Sequence, residues 1–328
     1  MAAKEYSYSQ GSTVSLKGRL TVLAVLAGAT LLIVSIGVLR TDAASLDSRT
    51  KQSDRTRLDW SHTSNTLLMG DSRVQVGVDP AQLVEHIPGC DAQNFGFAGV
   101  ASTHHYYQYA NKVLRKAGPR RIIYGITPRS FTHDALASNA FRELLNKLDL
   151  QKNSLADTFE LDVISTGMLR PWNLKGLKLF KKKHNTKTVS AVHKDGFIAI
   201  ESAQMRPEKS IPSHTKLFTD HKVLPELQKQ FFEQVKQWTD EGIRVYCLRI
   251  PITQKLYDLE DLLSGFKQQS FAESVQNAGG VWLDFPMKYE SFDGSHLTAS
   301  AAKQFSRDLA EKVVEYENNY PLGLPRNN

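Results

Sequence analysis

Short apolar runs alternate with longer amphipathic stretches along most of the chain. Apolar runs of this length are typical of strands buried on both faces, and the stretches between them follow a helical period. The alternation predicts a three-layer α/β sandwich, with a central parallel sheet and helices on both faces. The runs expected to form its strands are NTLLMG, CDAQNFGFAG, RRIIYGI, IRVYCLRIP and GVWLDF.

Helix signals occupy the intervals between these runs. DPAQLVEHI places Asp79 at the N-cap and Pro80 at the first helical position. The segment 102–118 is helical in character and stops at Gly118 and Pro119. We expect a long amphipathic helix within 221–242, one helix over 257–279 and a closing helix over 298–316.

Residues 20–39 form an apolar stretch without a charged residue. As a helix, a stretch of this length spans roughly 30 Å, the thickness of the hydrocarbon core of a bilayer. The alternative is a cleaved signal peptide, because Ala43 and Ala44 follow shortly after. A signal core usually has about 7–15 apolar residues, so the longer stretch favours an uncleaved transmembrane anchor.

The anchor defines the expected organisation of the chain. Residues 1–19 would be a cytoplasmic tail, 40–63 a charged juxtamembrane linker, and 64–320 the α/β domain, with an insertion at about 130–220. Basic residues flank both ends of the apolar stretch, so charge does not decide its orientation. A single N-terminal anchor before a long domain most often leaves the N-terminus inside. We therefore expect a single-pass protein with an extracytoplasmic domain and the lipid bilayer as a partner.

Composition and charge narrow the function classes. The net charge of +7 is spread along the chain, and its densest basic run, 175–187, predicts either a solvated face or a contact for anionic lipid or glycan. The two cysteines do not make a disulfide framework, and Cys247 falls in an apolar strand, as expected of a buried thiol. We find no zinc spacing, phosphate-binding glycine loop or nucleic-acid motif, and we expect no metal, cofactor or nucleic-acid partner.

The first predicted strand ends abruptly at a polar corner, Gly70-Asp71-Ser72-Arg73. In an open parallel sheet, ligands bind outside the carboxyl ends of the strands, which is where this corner would lie. A Gly-Asp-Ser triplet alone is often only a turn or a helix cap. Near the other end of the chain, however, Asp293 precedes His296 by three residues, just before the closing helix. A serine hydroxyl needs a base, and the base needs a group that fixes its tautomer, so these residues predict a Ser72–His296–Asp293 triad.

Three motifs in this order resemble the SGNH (GDSL-type) hydrolase superfamily: MGDSRV, NFGFAG at 94–99, and DGSH. The resemblance covers about 64–128 and 220–315. It implies an SGNH/flavodoxin-like fold, Ser72 as nucleophile, Asp293 and His296 as its triad partners, and oxyanion donors in the N–H groups of Ser72 and Gly99.

The third block of that superfamily departs from the pattern. It normally reads Gly-x-Asn-Asp and supplies a further oxyanion donor, but YGITPRSF has Thr127 in place of the Asn. Loss of an oxyanion donor costs on the order of 100–1000-fold in rate. Thr127, Arg129 or Arg73 would have to substitute for it, or the site is slow, altered or inactive. Arg73 and Arg129 are equally expected to contact substrate or to form surface ion pairs.

An anchored domain of this kind resembles the membrane-tethered SGNH-like proteins of envelope glycan O-acylation. The resemblance implies an extracytoplasmic serine esterase or O-acyltransferase acting on cell-envelope polysaccharide, beside a multi-span acyl-donor membrane protein. The main alternative is a catalytically inactive SGNH-like scaffold that binds glycan or assembles an acylation complex. A third hypothesis is a phosphate- or nucleotide-binding α/β protein. The sequence does not favour it, because it has no glycine-rich phosphate-binding loop with a lysine.

Overall fold

A computed structural model describes residues 57–58, 63–138, 140–152, 188–202 and 204–320 of the chain. The predicted anchor at 20–39, its tail and the basic run at 175–187 lie outside the described residues. Among the helices of the described ranges, none is long and apolar enough to cross a membrane.

The described residues form a five-stranded sheet in which all strand pairs are parallel, as predicted. The strands lie in the order β2-β1-β3-β6-β7, and a separate antiparallel hairpin pairs β4 with β5. Without the hairpin, this is the flavodoxin-like order, which reverses direction at β1 and opens a crevice at its carboxyl end. The strands are β1 (Thr66–Gly70), β2 (Ala92–Gly96), β3 (Arg121–Ile126), β4 (Thr188–Val192), β5 (Ile198–Ser202), β6 (Arg244–Arg249) and β7 (Val281–Trp282).

The helices that connect the strands begin close to the predicted signals. The side chain of Asp79 accepts from the N–H of Ala81 and caps the second helix, as expected. The helices are α1 (Ser72–Gly77), α2 (Pro80–His86), α3 (His104–Val113), α4 (His133–Ser138), α5 (Ala140–Lys152), α6 (Ile211–Asp220), α7 (Pro225–Asp240), α8 (Gln254–Leu263), α9 (Gln268–Asn277) and α10 (Ala299–Asn319), and Pro128–Phe131 form a 3-10 turn.

Successive strand residues enter two different cores. Leu67 and Met69 belong to the cluster that contacts α3, α7 and α9, whereas Leu68 belongs to the cluster that contacts α1, α2 and α10. Because side chains alternate across a strand, the two clusters lie on opposite faces of the sheet. The predicted arrangement of a central parallel sheet flanked by helices is confirmed. Cys247, predicted to be buried, has an exposed fraction of 0%.

The prediction of one helix over 257–279 is wrong. The chain forms α8 and α9 instead, separated at Ser264 and Gly265. Gly265 has a φ of 78°, a conformation that ends a helix and favours glycine. The Ser264 hydroxyl also accepts from the N–H of Phe266, which stabilises the break.

The outer edge of β2 is covered by chain segments remote in sequence. The N–H of Asn94 donates to the carbonyl of Asp195 in the β4–β5 turn, and Arg57 donates to the carbonyl of Gly96. Arg57 falls within the predicted juxtamembrane linker, its exposed fraction is 0%, and its guanidinium lies 4.0 Å from the ring centre of Phe97. Arg57 therefore packs against the end of β2.

Candidate active site

A tight turn joins β1 to α1 at the switch point of the sheet. Gly70 has a φ of 143°, and a Cβ atom there would lie 2.5 Å from a methyl carbon of Val74 and 2.7 Å from the carbonyl oxygen of Gly125. No larger residue fits this turn without displacing α1 or β3. The carbonyl of Gly70 also accepts from the N–H of Phe97, which ties the loop after β2 to the same turn.

Ser72 is the first residue of α1 and is half-buried. The side chain of Asp71 caps the helix by accepting from the N–H of Arg73 at 2.9 Å. The same carboxylate oxygen accepts from the hydroxyl of Thr127 at 3.1 Å. A hydroxyl has one proton, so in this structure Thr127 directs its proton to Asp71.

The loop before α10 folds around the side chain of Asp293. One carboxylate oxygen accepts from the backbone N–H groups of Ser295 and His296, both at 2.9 Å. The hydroxyl of Ser291 donates to the carbonyl of His296 and accepts from the N–H of Gly294. These contacts define a compact base loop, residues 291–296, that holds the imidazole in place.

The structure brings Ser72, His296 and Asp293 into one chain of hydrogen bonds. His296 Nε2 lies 2.9 Å from Ser72 Oγ, and His296 Nδ1 lies 3.0 Å from the second carboxylate oxygen of Asp293. The first distance is within the reach of about 2.6–3.2 Å that proton transfer from a nucleophile requires. The side chains of His296 and Asp293 are 23% and 13% exposed, so the chain lies at the rim of the domain.

The electrostatics of Asp293 set the tautomer of His296. Burial alone would raise the pKa of Asp293, but the hydrogen bonds from the His296 ring and the two backbone N–H groups outweigh it, and the pKa is lowered. An ionised carboxylate only accepts, so the imidazole proton sits on Nδ1. The lone pair of Nε2 then faces the hydroxyl of Ser72, which is the arrangement that a general base needs.

The backbone N–H groups of Ser72 and Gly99 are candidates for binding a ligand. Within the ranges that the structure describes, the N–H groups of Ser72 and Gly99 have no hydrogen-bond acceptor. Gly99, with a φ of 72°, is the third residue of a turn closed by the Val100 N–H donating to the carbonyl of Phe97. A positive φ at this position is the mark of a type II turn and requires glycine.

Arg129 borders the Gly99 turn. A Cβ atom placed on Gly99 would lie 3.5 Å from Nη1 of Arg129. Asp134 accepts from Nε and Nη2 of the guanidinium, at 3.2 and 2.9 Å, and leaves Nη1 without a partner among the described residues. The side chain is 28% exposed, so the guanidinium beside the Gly99 turn is partly accessible to solvent.

Arg73 does not form the surface ion pair that was one of its two expected roles. Its side chain is 2% exposed and makes a two-pronged ion pair with Glu260, which is 0% exposed. Sequence reasoning missed Glu260 and its neighbour His214, because 187 residues separate Arg73 from Glu260 and no local pattern joins them.

The C-terminal part of the predicted insertion packs on the base loop. The N–H groups of Arg206 and Ser210 donate to the carbonyls of Phe292 and Asp293, at 2.8 and 3.0 Å. The carbonyl of Pro207 fills the space where a side chain on Gly294 would stand. The insertion, to which no detailed structure was assigned from the sequence, thus helps to fix Asp293.

No group of three or more His, Cys, Asp or Glu side chains that could hold a metal ion occurs in the described part of the chain. A cavity of about 230 Å³ lies at the carboxyl ends of β6 and β7. Ser72, His296 and Asp293 do not line this cavity, so the cavity is separate from the candidate active site. Its walls are formed by Arg249, Gln254, Tyr257, Gln268 and the segment 283–287.

Comparisons with known proteins identify no family for this chain. No protein-family model matches it, and no curated protein matches it. A solved structure, that of a candidate platelet activating factor from Streptococcus pneumonia, aligns with a TM-score of 0.35 and 12% identity. The alignment covers 86% of this chain and 98% of that one. A similarity of this size defines neither a family nor an activity.

Proposed function

We propose that the chain is a serine-dependent esterase or O-acyltransferase, with Ser72 as nucleophile and His296 as general base. The observation that supports this most directly is the continuous hydrogen-bond chain from Ser72 through His296 to Asp293. Side chains 224 residues apart converge at the carboxyl edge of the sheet, in the tautomer that proton transfer needs.

The first half of the reaction forms an acyl-enzyme. Ser72 Oγ attacks the ester carbonyl carbon while its proton passes to His296 Nε2, and Asp293 stabilises the imidazolium. The open N–H groups of Ser72 and Gly99 donate to the oxyanion. When the tetrahedral intermediate collapses, the ester C–O bond breaks and the departing alcohol takes the proton from His296.

The second half releases the acyl group. Water or a second alcohol gives its proton to His296 and attacks the carbonyl carbon of acyl-Ser72. The bond between that carbon and Ser72 Oγ then breaks, Ser72 takes the proton back from His296, and the product is a free acid or a new ester. Thr127 contributes here by bracing Asp71, which caps the helix that carries Ser72. Its hydroxyl is not among the proposed oxyanion donors.

The proposed setting is the cell envelope. The apolar segment 20–39 supports a membrane anchor, and its position before a long domain supports an extracytoplasmic domain. The superfamily resemblance supports an envelope polysaccharide as acyl acceptor, with a multi-span acyl-donor protein as partner. In this proposal, Arg129 contacts a charged part of the substrate with its open guanidinium edge.

Turnover of p-nitrophenyl acetate by the purified full-length chain tests the proposal. We expect hydrolysis that falls to background in Ser72→Ala and His296→Ala, while Ser213→Ala, an exposed serine on α6, keeps wild-type turnover. Retained turnover in Ser72→Ala would reject it. A folded wild-type chain without turnover would favour the inactive scaffold, the alternative that Thr127 in place of the usual Asn motivates.

A further inference from the structure

Two buried arginines share the carboxylate of Glu260 beneath the candidate active site. Arg73 donates to both oxygens of Glu260, at 3.2 and 2.5 Å, and Arg249 donates to one of them at 3.0 Å. The arginine side chains are 2% and 3% exposed, and Glu260 is 0% exposed. Arg73 and Arg249 thus have the same charge, similar burial and the same carboxylate partner.

Only one of the two arginines reaches the base loop. Arg73 Nε donates to the hydroxyl of Ser295 at 3.1 Å, and the N–H of Ser295 donates to Asp293. Arg249 donates instead to Asp261 and Gln268, which lie on α8 and α9. Arg73 therefore joins the segment that carries Ser72 to the loop that carries His296, and Arg249 does not.

His214 completes the surroundings of Arg73. Its Nδ1 lies 2.9 Å from the carbonyl of Ser210, so Nδ1 carries the proton and Nε2 accepts. Arg73 Nη2 lies 3.4 Å from that Nε2. The guanidinium thus contacts α8, α6 and the base loop from a single side chain.

We infer that Arg73 is a positioning residue: its guanidinium fixes the base loop relative to α1 and sets the distance between Ser72 and His296. The inference rests on the proposed function. A buried ion pair is not in itself a strong source of stability, because desolvation offsets much of the attraction, and an apolar replacement is often neutral. A planar, two-pronged donor does fix geometry, and a misplacement of about 1 Å can cost about 100-fold in rate.

The test compares Arg73→Lys with Arg249→Lys in the full-length chain. Lysine keeps the charge and loses the planar fork. We expect Arg73→Lys to lower kcat on p-nitrophenyl acetate by about 100-fold with an unchanged KM, and the rate of fluorophosphonate labelling of Ser72 to fall in parallel. We expect Arg73→Lys and Arg249→Lys to lower the melting temperature by similar amounts. The kcat of Arg249→Lys should nevertheless stay close to wild type.

Ser295→Ala is the second variant, because it keeps the buried ion pair and removes only its link to the base loop. We expect it to lower kcat by about tenfold, the loss of one hydrogen bond to a charged group, without a matching change in melting temperature. This variant decides the question alone if Arg73→Lys does not fold. Equal losses of kcat in the two lysine variants, or wild-type kcat in Ser295→Ala, would overturn the inference.

A further measurement separates this inference from the proposed function. The NMR resonance of the His296 Nδ1 proton reports the geometry of the imidazole without any turnover. We expect it to shift or broaden in Ser295→Ala and Arg73→Lys, and to stay in place in Arg249→Lys. If wild-type protein neither turns over ester nor labels, the proposed function fails; if the resonance is the same in all variants, the positioning role fails.

Discussion

His296 Nε2 lies 2.9 Å from Ser72 Oγ, although the two residues are 224 positions apart in the sequence. The two side chains meet because β1 delivers Ser72 to the switch point of the sheet and the base loop crosses the same edge before α10. Neither side chain is held in place by its own segment alone, because each segment accepts hydrogen bonds from other parts of the chain. Because of this convergence, Ser72 in the polar corner after β1 is a candidate nucleophile.

Asp293→Asn tests the role of the carboxylate that faces His296. The amide removes the carboxylate charge that faces the imidazole and can leave the imidazole in the wrong tautomer, so kcat should fall by up to about 10⁴-fold. Steady-state kinetics on p-nitrophenyl acetate measure the loss. Asp258→Asn, at an exposed carboxylate bonded to Gln254, should keep wild-type kcat. Full activity in Asp293→Asn would show that His296 needs no carboxylate.

Gly99→Ala tests the proposed oxyanion turn. Alanine at a φ of 72° is strained, and its Cβ would lie 3.4 Å from the Cβ of Ala140, so the N–H of residue 99 should move. We expect kcat to fall by about 10²–10³-fold, the usual cost of one oxyanion donor. Gly118→Ala is the matched control, because Gly118 has a φ of 81° and open space around it. An equal kcat in the two variants would remove Gly99 from the proposed site.

Arg129→Gln tests whether the open guanidinium edge binds a charged part of the substrate. Loss of a hydrogen bond from a charged donor should raise KM about tenfold for p-nitrophenyl hydrogen succinate, which carries a carboxylate, and leave KM for p-nitrophenyl acetate unchanged. Arg115→Gln removes an arginine from an exposed pair with Asp91 and should change neither value. Equal losses on the two esters would place Arg129 at the reacting carbonyl instead.

Glu260→Gln tests the energetics of the buried arginine pair. Burial alone would raise the pKa of Glu260, but Arg73 and Arg249 outweigh it, and the pKa lies below its ordinary value of 4.5. A carboxyl group with a lowered pKa in the folded state stabilises the fold above its ordinary value, and this contribution is lost as the pH falls through the lowered pKa. Its replacement leaves Arg73 and Arg249 buried without their shared carboxylate.

Urea denaturation measures the difference. At neutral pH, the free energy of unfolding of Glu260→Gln should be about 3–5 kcal/mol below wild type, and the gap should narrow as the pH is lowered below the ordinary glutamate value. Glu273→Gln, at an exposed carboxylate on α9, should stay close to wild type at every pH. A gap that is constant down to acidic pH would show that the charge of Glu260 does not stabilise the fold.

The sequence predicts the sheet well because each strand carries its own signal. The apolar runs around Leu68, Ile123 and Cys247 mark strands buried on both faces, and Asp79 with Pro80 marks a helix start. The break between α8 and α9 depends on a single positive φ at Gly265, which the helical period on either side conceals. The local sequence pattern thus predicts strands and helices better than it predicts breaks within a helical stretch.

The contacts that hold the candidate site together are not local. Ser72, Asp293 and His296 could be named from short motifs and their order in the chain. The burial of Arg73 depends on Glu260, and the orientation of Thr127 depends on Asp71, so neither could be predicted from neighbouring residues. The superfamily resemblance shows only that Thr127 stands where an oxyanion-binding Asn is usual, and it does not reveal the hydrogen bond from Thr127 to Asp71.

Covalent labelling of the full-length chain with a fluorophosphonate, followed by mass spectrometry of its peptides, tests the central claim most directly. The probe reacts with a serine hydroxyl only when a base and oxyanion donors activate it, as proposed for Ser72. We predict one adduct, on Ser72, that is absent in Ser72→Ala and strongly reduced in His296→Ala. A folded wild-type chain with no adduct, or with an adduct on a different serine, would contradict the account.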